Sequence, residues 1–443
     1  MPIIRVALDV PVNILFEYLA PDITAQDIGG RVCVPFGRRL VTGIIMEVVT
    51  HSSVPSPKIR SAVCALREIP PIPKELLDLF RFCSAYYHHP LGEVAMNGLP
   101  GRLRSIKPFA LDSSIPSQYR LTTEGHAIDI SVIPARSMVK RRLLARLRES
   151  AVINIGEVKQ ISRRAPSALK ELIMLRWVEE ISAELPSTDV SIEISQAPTL
   201  TSDQKNAIHD IGARINEFKT WLLHGITGSG KTEVYLQLIS LLLRQGRQTL
   251  VLVPEINLTP QLEATFRARF PTVQLVSLHS GLNPNERARG WLQAQQGEAK
   301  IILGTRLAVF TPLPKLGLII VDEEQDTSFK QQEGLRYSAR DVAVFRAKHA
   351  NAPVILGSAT PSLESYYNAI SGRYLKLSLS SRAVKNAVLP VIRCIDTRAA
   401  KTKEGLSIPL IAALEKCLAL NQQSLVFINR RGYAPVLLCK SCA

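Results

Sequence analysis

A phosphate-binding loop of the form G-x-x-x-x-G-K-[ST] is predicted at Gly225, Ile226, Thr227, Gly228, Ser229, Gly230, Lys231 and Thr232. Glycines let successive backbone N–H groups turn toward phosphates, and a following helix adds partial positive charge at its N-terminus. We expect Lys231 to neutralise phosphate and the Thr232 hydroxyl to ligate magnesium. A chance glycine-rich turn is the alternative, which the position between an apolar strand and a helix disfavours.

An acidic segment follows the apolar run 318–321: Asp322, Glu323, Glu324 and Asp326 are four carboxylates within five residues. Carboxylates this close repel one another unless a cation or a basic surface stabilises them, whereas a solvated acidic loop is the alternative. We expect Asp322 to hold magnesium through water and Glu323 to orient and deprotonate an attacking water. These two motifs together predict hydrolysis of a nucleoside triphosphate.

Apolar strands separated by helix-length segments must position these motifs. The predicted strands are Trp221–His224, Thr249–Val253, Lys300–Leu303, Gly317–Val321, Pro353–Leu356 and Ser424–Phe427. Such alternation is typical of a parallel sheet with helices on both faces. Ligands bind at the carboxyl ends of parallel strands, where Gly225 and Asp322 would lie. Ser358 and Thr360, at the end of a neighbouring strand, are placed to hydrogen-bond the acidic segment and to report nucleotide state.

The chain length and the net charge limit the number of domains and the class of binding partner. A chain of 443 residues exceeds one compact domain, and 54 Lys+Arg against 38 Asp+Glu leave a net charge of +16, which favours nucleic acid as a partner. Residues 101–176 and 373–443 each carry +9, although a solvated basic face is the bland interpretation. No apolar run approaches the ~20 residues that span a bilayer, so we expect a cytoplasmic protein without membrane contact. Five isolated cysteines are predicted to be buried thiols: Cys33, Cys64, Cys83, Cys394 and Cys417.

Two smaller modules are predicted before the α/β region. Apolar alternations at 3–12, 31–35 and 40–49 indicate a β-rich module, followed by a helix at Lys74–Tyr87 that ends before Pro90. Helical patterns at 140–149, 155–161 and 166–175, followed by a strand at 177–181, predict a winged helix with Arg163 and Arg164 near DNA phosphates. A small helical bundle would give the same pattern.

The motifs and their order resemble the superfamily 2 helicases and, within them, the family of the bacterial replication-restart helicase, primosomal protein N′. The most specific stretches are 223–235, 252–261, 278–282, 304–306, 322–326, 330–334, 357–361 and 429–432. The resemblance implies ATP and Mg²⁺ as cofactors and an adenine-reading role for Thr201 and Gln204. It also implies coupling between ATP and DNA through Gln325, Ser358 and Thr360.

The resemblance implies DNA contacts outside the nucleotide site. The family's N-terminal domain captures the 3′ end of a nascent strand, and Phe16, Glu17, Gly37 and Lys58 look like its pocket. An aromatic-rich loop is similarly implied, with DNA-binding side chains at Phe329, Lys330, Arg336, Tyr337 and Arg340. Burial of its aromatic residues is the alternative. Cys439 and Cys442 resemble the first half of a site for Zn²⁺; the family binds two zinc ions.

The predicted organisation is therefore multidomain. It comprises a 3′-end DNA-binding domain (1–105), a winged-helix domain with linkers (106–195), a RecA-like ATP-binding helicase lobe 1 (196–375) and the start of lobe 2 with the zinc region (376–443). The family usually has His at 325 and an aromatic at 335, where this chain has Gln325 and Leu335. Because the family continues past residue 443, we expect a truncated second lobe and weak hydrolysis without the arginine fingers.

Two functions remain open. The resemblance implies an ATP-driven 3′ to 5′ helicase that recognises stalled forks and D-loops and starts primosome assembly with single-stranded DNA-binding protein and other primosome components. The alternative is a fork-binding scaffold whose nucleotide site acts as a switch.

Overall fold

The computed structural model divides into two compact units, Met1–Lys385 and Asn386–Ala443. It describes residues 2–52, 59–107, 109, 118–129, 133–134, 137–150, 152–154, 158, 161–162, 165–181, 198–254, 260–383, 391–396, 402–403 and 405–427. Among these residues, no helix is both long and apolar enough to cross a membrane.

The N-terminal module is a six-stranded sheet with two helices. Its elements are β1 (Ile3–Ala7), β2 (Phe16–Leu19), β3 (Arg31–Phe36), β4 (Arg39–Val49), β5 (Arg60–Ser61), β6 (Cys64–Leu66), α1 (Lys74–Tyr87) and α2 (Leu91–Asn97). The strand order is β5-β2-β1-β4-β3-β6, and only the β2–β5 pair is parallel. Helix α1 has the predicted bounds. The first strand is shorter than predicted and stops at Ala7; Pro11, which has no N–H, cannot donate to a ladder.

The second module combines helices with a three-stranded sheet. Its elements are β7 (Gln118–Leu121), α3 (Thr123–Ala127), α4 (Met138–Glu149), β8 (Ile153–Asn154), α5 (Ala165–Met174) and β9 (Val178–Ile181), with strand order β8-β7-β9. Leu143, Leu147, Leu169 and Leu172 form its buried core. Two of the predicted helices and the predicted strand are present, and the winged helix stays a prediction. Arg163 and Arg164 lie outside the described residues.

The third module contains the predicted parallel sheet, with strand order β12-β13-β11-β14-β15-β10-β16. Its elements are α6 (Ser202–Gly212), β10 (Thr220–Gly225), α7 (Lys231–Arg244), β11 (Gln248–Leu252), α8 (Pro260–Arg269), β12 (Leu275–Leu278), α9 (Pro284–Gln295), β13 (Ile301–Gly304), β14 (Leu316–Asp322), α10 (Ala339–His349), β15 (Val354–Ser358), α11 (Leu363–Ile370) and β16 (Leu375–Leu379). The inner strands are largely apolar because helices cover the sheet, although Gln248 and Thr249 of β11 are buried polar residues. Strand β16 pairs with β10, so the sheet extends past the predicted boundary at residue 375.

The N-terminal module and the parallel-sheet module share one hydrophobic core. The Phe82 ring stacks on Phe345 with centroids 3.5 Å apart, and the Phe80 and Phe310 centroids are 5.9 Å apart. Gln295 Nε2 donates to the carbonyl of Pro71 at 2.7 Å. Apolar packing therefore joins these two modules directly.

The second unit contains β17 (Thr402–Lys403), β18 (Leu406–Ser407) and α12 (Ile408–Ala419) in its described part. The strand predicted at Ser424–Phe427 is wrong. Those residues form no strand, and Leu425 and Phe427 are exposed, because a parallel strand needs a paired neighbour that nothing described beside them provides.

The cysteine prediction holds only in part. Cys33 and Cys83 are buried, whereas Cys64 and Cys394 are exposed and Cys417 is half-buried. Cys64 lies on β6, directly opposite Cys33, at the edge of the N-terminal sheet. An edge strand leaves alternate side chains toward solvent, which local hydrophobicity does not reveal.

Candidate active site

The predicted phosphate-binding loop lies between β10 and α7, at the carboxyl edge of the sheet. Gly228 and Gly230 both have φ of +79°, a left-handed conformation that favours glycine. Gly230 caps α7 without a side-chain hydrogen bond, so no side chain competes for the N–H groups of the first turn. Lys231 Nζ donates to the Gly225 carbonyl at 3.1 Å and lies 4.0 Å from Glu323 Oε1.

Gln204 braces this loop from α6. Its side chain is buried: Oε1 accepts from the Thr201 backbone N–H at 2.9 Å, and Nε2 donates to the carbonyls of Ser229 (3.1 Å) and Gly230 (3.3 Å). The Thr201 hydroxyl accepts from the Gln204 N–H, which completes a capping box. Both amide protons are therefore engaged within the chain in this conformation, and the implied adenine-reading role of Gln204 stays a prediction.

Asp322, the predicted magnesium residue, ends β14 and contacts α7. Its Oδ1 accepts a hydrogen bond of 2.9 Å from the hydroxyl of Tyr235, a fully buried side chain. Burial raises the pKa of Asp322, while the Tyr235 hydrogen bond opposes that shift. A Cβ on Gly357 would lie 1.7 Å from the Tyr235 oxygen, so glycine there leaves room for the phenol. Sequence reasoning missed Tyr235; the signal was a hydroxyl on the apolar face of α7.

Glu323 and Gln325 form a hydrogen-bonded chain with the end of β15. Gln325 Nε2 donates to Glu323 Oε2 at 2.8 Å, and Ser358 Oγ donates to Gln325 Oε1 at 2.5 Å. Ser358 Oγ accepts from the Thr360 N–H at 2.9 Å. Glu323 has φ of +49°, which strains a residue with a side chain. The geometry brings Gln325, Ser358 and Thr360 together beside the predicted general base.

These residues fit a nucleoside triphosphate with magnesium. The uncapped end of α7 and the two left-handed glycines leave backbone donors available for phosphate. Thr232, in the first turn of α7, and the Asp322 carboxylate supply oxygen ligands of the kind that Mg²⁺ prefers. Lys231 holds a cation within reach of Glu323.

The aromatic-rich loop does not present its rings as predicted. Phe329 and Tyr337 are buried, as is Leu335, because the loop packs into the shared core; the Tyr337 and Phe310 centroids are 5.0 Å apart. Phe329 and Tyr337 present no ring face to a base in this conformation, and base stacking by them stays a prediction. Lys330 and Arg336 are exposed as a DNA contact requires.

Arg340 was also predicted to contact DNA, but its guanidinium is mostly buried. NH1 donates to Glu324 Oε2 at 3.1 Å and to Ser362 Oγ at 2.8 Å, and Nε pairs with Asp341 at 3.0 Å. These partners are the reason that Arg340 does not reach a DNA phosphate in this conformation.

The predicted 3′-end pocket is partly assembled on the N-terminal sheet. Phe16 and Phe36 meet edge to face with centroids 5.3 Å apart, and the Gly37 carbonyl accepts from Arg60 NH1 at 3.0 Å. Glu17 is engaged by Arg5 Nε at 3.0 Å and by the Ser52 hydroxyl, so it does not offer a free carboxylate as predicted. Lys58 lies outside the described residues. Sequence reasoning missed Phe36 and Arg60.

A basic cleft runs along the seam between the N-terminal and parallel-sheet modules. Arg104, Arg287 and Arg306 line it, and no carboxylate does. Burial lowers the pKa of Arg104; the carboxylate of Asp9 opposes this shift, and neighbouring Arg287 adds to it. Within the described residues, Arg287 Nε, Arg306 Nε and Trp291 Nε1 are buried donors without a hydrogen-bond partner. Arginines that line a cleft without a carboxylate favour an anion.

The predicted zinc residues, Cys439 and Cys442, lie outside the described residues.

Two family models match the chain. Residues 5–100 match the PriA 3′DNA-binding domain, and residues 201–369 match the DEAD/DEAH box helicase. Curated relatives named replication restart protein PriA include that of Haemophilus influenzae, 36% identical over 100% of this chain and 60% of its own length. Those of Chlamydia pneumoniae (38% identical, 84% of this chain, 50% of the relative) and Bacillus subtilis (39%, 66% and 37%) are also similar. This chain thus spans 60% or less of the length of these three relatives.

Proposed function

The chain belongs to the PriA family of replication restart proteins and carries a DEAD/DEAH box helicase domain, and from this premise we propose that it is an ATP-dependent 3′ to 5′ DNA helicase. It would recognise stalled forks and D-loops and start primosome assembly together with single-stranded DNA-binding protein and other primosome components. The observation that carries the proposal is the convergence of Lys231, Glu323 and the Tyr235–Asp322 pair at one sheet edge.

The proposed hydrolysis assigns a task to each side chain. Lys231 would leave the Gly225 carbonyl to neutralise phosphate. Thr232 directly and Asp322 through water would hold magnesium, which would polarise the phosphoryl group. Glu323 accepts the proton of the attacking water. Its hydrogen bond from Gln325 orients the carboxylate.

Glu323→Gln tests this assignment. The amide keeps the side-chain shape but cannot take a proton, so we expect ATP and magnesium to bind while turnover falls at least about a hundredfold. Hydrolysis and ATP binding would be measured in the intact protein with and without forked DNA. Lys231→Ala is the matched control, since it should weaken ATP binding itself. Turnover near wild type in Glu323→Gln would place the general base elsewhere.

The same measurement separates the two candidate functions. A helicase hydrolyses ATP faster when DNA is present and unwinds a duplex, whereas a switch-like scaffold binds forks with nucleotide-dependent affinity and shows no DNA-stimulated turnover. We favour the helicase because Gln325 contacts two parts of the site. It donates a hydrogen bond to Glu323, the predicted base, and accepts one from Ser358 at the end of β15.

For the N-terminal module we propose capture of a DNA 3′ end by the surface of Phe16, Phe36, Gly37 and Arg60. Phe36 is exposed enough to stack on a terminal base, and Arg60 can pair with phosphate. We expect Phe36→Ala to weaken binding of DNA with an unpaired 3′-terminal base about tenfold, because the stacking contact is lost. Leu40→Ala, an exposed apolar residue on β4, is the control. Unchanged affinity in Phe36→Ala would rule out this surface.

A further inference from the structure

Two cysteine thiols face each other on neighbouring strands of the N-terminal sheet. Cys33 of β3 and Cys64 of β6 are directly opposite partners in an antiparallel pair, and their side chains hydrogen-bond to each other. Side chains at opposite positions of such a pair extend to the same face, and their Cα atoms lie about 4.5–5.5 Å apart. A disulfide spans Cα separations of about 4.4–6.8 Å, so the two sulfurs can bond without a shift of either strand.

The two thiols differ in their access to solvent. Cys33 has only 1% of its surface exposed, whereas Cys64 is exposed. Burial raises the pKa of the Cys33 thiol, and the neighbouring Cys64 raises it further, which makes Cys33 the poorer nucleophile toward a dissolved oxidant. An oxidant in solution therefore reacts first at Cys64, and Cys33 is placed to react with the product.

Cys64 belongs to the segment that closes the N-terminal sheet on itself. Strands β5 and β6 lie at the two ends of the strand order, yet they are joined by residues 62 and 63 alone. The Ala62 N–H donates to the Leu19 carbonyl of β2 at 2.9 Å. The Val63 N–H donates to the Cys33 carbonyl of β3, also at 2.9 Å. A covalent bond between the two sulfurs would fix this closure.

The closing segment also carries part of the proposed 3′-end surface. Arg60 lies at its start and donates to the carbonyl of Gly37, which follows the end of β3. Opening of the closure would separate Arg60 from Gly37. The thiol chemistry itself requires only the fold of this module, so it can be tested without DNA.

We propose that Cys33 and Cys64 are a redox modification site, at which a hydroperoxide forms an intramolecular disulfide that locks the closed N-terminal sheet. With hydrogen peroxide, the Cys64 thiolate attacks one oxygen, the O–O bond breaks, and the leaving hydroxide takes up a proton; Cys64 becomes a sulfenic acid. The Cys33 sulfur then attacks the sulfenic sulfur, and its proton leaves with the hydroxide as water. The two thiols lose two electrons, and the peroxide is reduced to water.

Peptide mass spectrometry of the intact protein tests the proposal. The protein is treated with equimolar hydrogen peroxide, free thiols are blocked with iodoacetamide, and trypsin releases Cys33 within residues 32–38 and Cys64 within residues 61–67. We expect these two peptides to be joined in the oxidised protein and to separate on reduction with dithiothreitol. The oxidised protein should also have a higher urea midpoint than the reduced protein, since a cross-link restricts the unfolded chain.

Cys64→Ala should abolish the joined peptides and the difference between the two urea midpoints. Because Cys64 is exposed, this variant leaves the core of the module intact. Cys394→Ala is the matched control: it removes another exposed thiol, in the second unit, and should keep both results. Cys33→Ala should leave Cys64 as a sulfenic acid that dimedone traps.

Three outcomes would overturn the proposal. Absence of the joined peptides after peroxide treatment of the wild-type protein would show that the two thiols do not pair. A peptide that joins Cys64 to another cysteine would show that its partner is not Cys33. Joined peptides with an unchanged urea midpoint would show that the disulfide does not lock the sheet.

Discussion

At the residue scale, the buried Tyr235 hydroxyl links the phosphate-loop helix to the predicted magnesium carboxylate. A hydroxyl that donates to a carboxylate stabilises its ionised form, and burial works against that form. Tyr235 thus keeps Asp322 closer to the charge that metal binding requires. Neither residue reveals this relation in the sequence, because 87 positions separate them.

Tyr235→Phe should raise the pKa of Asp322 further, since the lowering hydrogen bond is lost while burial remains. Magnesium needs the ionised carboxylate, so the acid limb of the pH–rate profile should move to higher pH. The profile of ATP hydrolysis measures this shift. Tyr366→Phe, at a more exposed ring on α11, should leave the limb in place. An unmoved limb in Tyr235→Phe would show that the hydroxyl does not tune Asp322.

At the element scale, the turn from β10 to α7 depends on two glycines in different surroundings. Gly228 has open space where a Cβ would lie, whereas a Cβ on Gly230 would lie 2.3 Å from Gln204 Nε2. Both positions carry the cost of a left-handed φ. Only Gly230 also faces the side chain that braces the loop.

We expect Gly228→Ala to lower the free energy of unfolding by about 1 kcal/mol and Gly230→Ala by about 2 kcal/mol or more. Chemical denaturation without nucleotide measures both, which removes effects on phosphate binding. Equal losses in the two variants would mean that Gln204 moves aside freely and does not brace the loop.

The elements that sequence reasoning predicted correctly are those with local signals. The turn between β10 and α7 and the inner strands follow from glycine spacing and apolar runs, and α1 from its period and Pro90. The environment of Arg340 does not, because its partners Glu324 and Ser362 meet it only through tertiary packing. Burial of Phe329 and Tyr337 was likewise decided by the core shared with the N-terminal module.

At the scale of the whole molecule, the net charge of +16 and the basic cleft predict strong dependence of DNA binding on salt. Arg306→Gln should reduce the magnitude of the slope of log K against log salt concentration by about one, which corresponds to the loss of one phosphate contact. Arg214→Gln, an exposed arginine outside the cleft, should keep the wild-type slope. Fluorescence anisotropy with forked DNA at several salt concentrations gives both slopes. Identical slopes in the two variants would exclude the cleft from the DNA path.

The core shared by the N-terminal and parallel-sheet modules has a consequence for measurement of distance along DNA. If a flexible linker joined the N-terminal module to the parallel-sheet module, the distance between the two modules would fluctuate. In this protein, Phe82 packs on Phe345 and Phe80 packs on Phe310, and these contacts hold the N-terminal module against the parallel-sheet module. Under the proposed function, the distance between the proposed 3′-end surface and the proposed ATP-binding edge is therefore fixed. This distance would set how many nucleotides lie between a captured 3′ end and the first base that the helicase engages.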